Sequence, residues 1–151
     1  MTEIQAVIAK VQLEKLDYIV EKNRKNYSII ESTLSGIKGI KFRKIPAKCK
    51  PLCDTLILQF CDKDRADKFV DGINREDLGT KNVPDAIEWH FATYWDHMFS
   101  YFKLDADKFK ESLIKSTRII EKCVALPIMV NWSEDEIQDI CKKLLKIAKD
   151  I

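Results

Sequence analysis

The chain has 151 residues, 46% of them hydrophobic, and 26 lysines and arginines against 24 aspartates and glutamates leave a formal charge of +2. That apolar content excludes compositional disorder and allows one buried core, while so small a net charge gives no general attraction for a polyanion. Five cysteines, an odd number without a leader pattern, argue for reduced thiols, and no stretch reaches transmembrane length; the expectation is a cytoplasmic protein with neither a membrane nor a nucleic-acid partner.

Residues 1–36 are expected to form one long helix. Thr2 and Gln5 have capping-box spacing, in which the hydroxyl takes a backbone N–H three residues on and the glutamine reaches back to the cap. Ile4, Val7, Ile8 and Val11 then share a face, whereas Leu13, Leu16, Ile19, Val20, Tyr27, Ile30 and Leu34 fall on a stripe turned from it by roughly a third of a turn at about 100° per residue. The two halves must bury different surfaces, unless a kink realigns them. Gly36 supplies the stop, since glycine takes the left-handed conformation that closes a helix.

Ile40 and Phe42 alternate with basic residues as in a half-exposed strand that ends by Pro46. Between Lys38 and Lys50 six residues are basic and none is acidic, which fits either a phosphate-binding strip or a sheet edge kept from aggregating by its lysines. The edge reading is preferred because no aromatic platform or glycine-rich turn accompanies the charges. Cys49 and Cys53 lack a second ligand pair at zinc spacing and read as ordinary thiols. Thr55 to Cys61 is the clearest strand, with Leu56, Leu58 and Phe60 on one face, and should be central. Asp62 or Asp64 then caps a helix carrying Ala66, Phe69, Val70 and Ile73 at core spacing, closed by Leu78-Gly79. The chain returns through Thr80–Val83, and the basic strand is a natural antiparallel neighbour.

From Asn82 to Phe102 nine aromatic or histidine side chains crowd together, including both histidines of the chain, His90 and His97. Neither alternation nor a helical stripe accounts for them, so this is read as a loop folding over something. Rings stack on apolar sugar or base faces while imidazole and phenol bond hydroxyls; the alternative is a packed aromatic corner. A metal at His90, Asp96 and His97 is disfavoured, because an i, i+7 pair is not a standard ligand spacing. A second amphipathic helix is expected from Asp105 to about Cys123, with Phe109, Leu113 and Ile120 inward. Val124 to Val130, interrupted by Pro127, reads as an edge strand or connector. Ser133 and Glu136 make a second capping box, opening a helix whose stripe is Ile137, Ile140, Cys141, Leu144 and Ala148. The fold class is α/β (α+β): a long first helix over 1–36, then a small unit over 37–151 with an antiparallel or mixed sheet flanked by helices.

The run from Met1 to Ala9, continued by Val11–Asp17, resembles the helix that opens the C-terminal part of the DegT/DnrJ/StrS-type sugar aminotransferases. An Ala66–Asn74 helix, the Trp89–His97 segment, the Ala125-Leu126-Pro127 step and the Ser133-capped helix follow in the family's order. The resemblance implies PLP-dependent transamination of a keto-sugar, usually nucleotide-linked, in a fold type I homodimer. It also implies that the Schiff-base lysine, the aspartate on the pyridine nitrogen and most phosphate ligands lie upstream of this segment. Met1 then looks like an internal methionine serving as a start, and no catalytic or cofactor-binding residue is nominated. The substrate-facing candidates are His90, Tyr94, Trp95 and His97. The alternative is a free-standing α/β module that docks a partner helix on the Ile4–Val11 face.

Overall fold

The computed structural model describes residues 2–151; Met1, read above as an internal methionine, lies outside the described residues. The first helix is two. α1 (Glu3–Glu14) carries the expected capping box, with Thr2 Oγ1 accepting from Gln5 N and Gln5 Oε1 accepting from Thr2 N. It stops at Lys15, from which α2 (Leu16–Leu34) restarts, so a one-residue break replaces a continuous rod. The expected second stripe is buried only in its later part: Tyr27, Ile30 and Leu34 enter the core, whereas Leu13 and Leu16 stay exposed before the chain reaches the body. Gly36 takes φ +85° after α2, as the stop requires.

The sheet has three antiparallel strands in the order β1 (Ile40–Phe42), β2 (Thr55–Phe60), β3 (Cys123–Pro127). Ile40 pairs with Phe60, and Leu58 pairs with Phe42 on one side and Val124 on the other. β2 is central as its alternation predicts, and β1 is the basic edge, ended at Phe42 ahead of Pro46. Leu56, Leu58 and Phe60 point into one cluster with Ile30 and Leu34 of α2, Phe69 and Ile73 of α3 (Lys63–Arg75), Val124 and Leu126 of β3, and Ile137 and Leu144 of α8 (Glu134–Lys149). Hydrophobic burial on that one face makes a two-layer body, sheet below and three helices above.

Two of the three covering helices, α3 and α8, are held at their start by a side chain, whereas α2 has no such cap. Asp62 accepts from Arg65 N at 2.9 Å, settling the choice between the two aspartates, and Ser133 with Glu136 forms the second capping box. α3 ends at Arg75, three residues before the expected Leu78-Gly79 closure, because Leu78 N reaches back to Ile73 O and wraps the chain under the helix end.

The stretch between Val83 and Cys123 holds four short α-helices, α4 (Ile87–His90), α5 (Asp96–Tyr101), α6 (Ala106–Ser112) and α7 (Ile114–Ile120), with a 3₁₀ turn at Ala92–Tyr94. The single helix expected over 105–123 is therefore interrupted at Leu113, which caps α6 and starts α7. None of the residues between 84 and 122 belongs to the main core cluster; within that stretch Phe99 is buried and pairs with Phe109, centroids 5.1 Å apart.

Candidate functional site

The aromatic segment begins where Lys81 N donates to Ala125 O (2.8 Å) and Ala125 N donates to Val83 O (3.0 Å), stitching the return onto the outer side of β3. Lys81 Nζ also binds Asp54 Oδ2 at 2.7 Å, and that hydrogen bond holds the Asp54 carboxyl below its ordinary pKa. The segment is pinned further along by Thr93 against Thr117 (3.2 Å), by the Lys110–Asp96 ion pair, and by Lys110 Nζ lying 5.9 Å above the Phe99 ring.

These ties open a depression of about 500 Å³ lined by Glu88, Trp89, Tyr94, Trp95, His97 and Met98. Trp95 is oriented by its indole N–H, which donates to Glu88 O at 3.0 Å across the mouth. Trp89 stands 81% exposed on the rim. The lining is apolar and aromatic with a carboxylate and an imidazole at its edge, a combination suited to stacking on a ring while bonding its polar substituents. Three of the four residues nominated from the sequence, Tyr94, Trp95 and His97, meet here. His90, the last residue of α4, is exposed and outside the lining. Sequence reading passed over Glu88 and Met98; only their closeness to the aromatic run marks them.

Among the described residues no three His, Cys, Asp or Glu side chains converge as a metal site would need. The cysteines are all free; burial raises the Cys53 and Cys123 thiols above their ordinary pKa, which opposes thiolate chemistry there. The described residues do not fit pyridoxal phosphate. A Schiff-base lysine needs desolvation or a neighbouring cation to be neutral at working pH, yet no lysine is buried and the depression's lining contains none. Lys81, Lys110 and Lys143, the lysines most drawn into the body among the ion pairs, are each committed to a carboxylate.

The three-stranded antiparallel layer covered by α2, α3 and α8, with a first helix leaving the body, matches part of the fold of fold type I aminotransferases. The model of the DegT/DnrJ/EryC1/StrS aminotransferase family matches residues 1–145, and the chain belongs to that family, of which it carries the C-terminal portion. DesV of S. venezuelae, solved with a ketimine intermediate, superposes with TM-score 0.74 at 14% identity, covering 100% of this chain and 38% of that one. PseC of Helicobacter pylori, an aminotransferase in pseudoaminic acid biosynthesis, gives 0.71 at 14% identity with the same coverage. Spr1654 of Streptococcus pneumoniae in its PMP form gives 0.73 at 12% identity, covering 99% of this chain and 36% of that one. The chain thus spans little more than a third of the length of the structures it matches, and likeness at such identity carries the fold alone.

Proposed function

We propose that this chain is the small-domain part of an aminotransferase acting on a keto-sugar, often nucleotide-linked, and that it is catalytically inert alone. Residues 1–36 serve as the linking segment and 37–151 as the small domain. Tyr94, Trp95 and His97 line the substrate mouth, with His90 at its outer margin; the rings stack on the sugar or its base and His97 bonds a hydroxyl. The transfer itself belongs to a PLP-bearing large domain, and the complete enzyme is a cytoplasmic homodimer. One observation carries this reading: the whole chain superposes on aminotransferases, yet none of its lysines sits in a desolvated pocket.

The test is incubation with PLP, borohydride reduction and peptide mass spectrometry. No lysine is expected to carry a stoichiometric adduct; a single lysine labelled one-to-one would overturn the reading. A second reading, a free-standing module that docks a partner through Ile4–Val11, is favoured by the exposure of that face. An upstream reading frame encoding a lysine-bearing domain supports the first, and a ribosome-binding site directly before Met1 the second.

A further inference from the structure

The sheet face turned away from the helices ends in an open hollow of about 200 Å³, lined by Gly39, Lys41, Gln59, Phe60, Cys61 and Lys122 and sharing no residue with the aromatic depression. Register builds it. Gln59 of the central strand stands opposite Lys41 on one side and Cys123 on the other, and Lys122 Nζ donates to Cys61 O at 3.2 Å. At the margin Arg65 lies against Gly39, its Nη1 2.8 Å from where a Cβ on that glycine would stand. Lys122 and Arg65 are half-buried, and none of Lys41, Arg65 and Lys122 joins an ion pair among the described residues. Asp62 is the carboxylate whose charge Arg65 and Lys122 feel, yet both its oxygens are engaged, one by Arg65 N at 2.9 Å and the other by Cys61 Sγ at 3.0 Å. Partly desolvated cations without a counter-ion carry a cost that an anion in the hollow would remove.

We propose that this hollow binds a single phosphate group, as the free ion or as a monoester. Lys41 and Lys122 supply point charges from the two flanks of β2, the Gln59 amide donates to an oxygen between them, and Arg65 adds its charge at the Gly39 margin. The volume of about 200 Å³ suits one phosphate with a few waters, at about 30 Å³ each, so the rest of an ester points out to solvent. Three cations favour a group that carries close to two charges over a carboxylate with one. Of the basic run between Lys38 and Lys50, Lys41 is the one cation in the lining; the others guard the sheet edge, as the sequence suggests. The inference stands on the outer face of the sheet and not on the aminotransferase reading, whose PLP test is separate.

The experiment is calorimetric titration of the full chain with inorganic phosphate at low salt, where a Kd of about 1 mM is expected. Lys41→Ala and Lys122→Ala should each weaken binding about fivefold. Gln59→Glu, which sets a carboxylate between the two lysines, should abolish it with circular dichroism unchanged. Lys44→Ala and Lys48→Ala, in the same basic run but outside the lining, should bind as wild type does. Glycerol phosphate is titrated beside the free ion: equal affinity supports a monoester site and preference for the free ion an inorganic one, while glutamate should bind at least about tenfold more weakly than either. The proposal is overturned by the absence of saturable binding up to about 20 mM phosphate, by glutamate binding as tightly, or by Lys44→Ala costing as much as Lys41→Ala, which would reduce the effect to a diffuse field.

Discussion

Asp54 is where one side chain decides how the candidate site is hung. It anchors Lys81, whose backbone joins β3 just before the aromatic segment begins. A carboxyl whose folded pKa is depressed adds stability above its unfolded pKa of about 4 and loses it as pH falls through the lower folded value. Both partners are more than a third exposed, so after screening the pair contributes no more than about 1 kcal/mol. Asp54→Asn should therefore lower stability at pH 7 by that amount, and the gap from wild type should close as pH is lowered from 5 to 2. Urea unfolding midpoints across that range check it. No sequence pattern marks this pair, because Asp54 and Lys81 meet only through the fold.

At the scale of elements, α3 and α8 approach so closely that a glycine is required between them. A Cβ at Gly72 would lie 2.5 Å from Ile147 Cγ2. Gly72→Ala gains up to about 1 kcal/mol of helix propensity but forces apart a packed contact, costing roughly 1–3 kcal/mol, and the sum should be destabilising. Thermal unfolding of the variant tests the sign; a raised Tm would mean that α8 shifts freely. The elements themselves were largely legible. β2 and α8 declare themselves through strict alternation and a capped stripe, because one face of each lies on a single core. The breaks at Lys15 and Leu113 were not, since neither position carries glycine or proline. α4 to α7 are equally silent: helices of four to seven residues have too few turns to show a period, and ties such as Thr93 to Thr117 hold them instead. Thus the crowd of aromatics marked the segment that carries the hollow, while which of them line it had to come from the fold.

For the molecule as a whole, cohesion is uneven. The core cluster draws on α2, the sheet, α3 and α8, and α1 gives it nothing. Deleting residues 2–14 should change the unfolding free energy by less than about 0.5 kcal/mol, measured by denaturant titration. A large loss of stability would show that α1 folds back on the body.

The stretch from Pro84 to Lys122 departs from Val83 and comes back at Cys123, and both ends meet on β3. It is a closed excursion whose gateposts stay fixed whatever lies between them, and the hydrophobic interior has no stake in its path. Lengthening such a loop costs little, since closure entropy grows only with the logarithm of its length. Sequence change can therefore reshape the hollow along this excursion without renegotiating the scaffold.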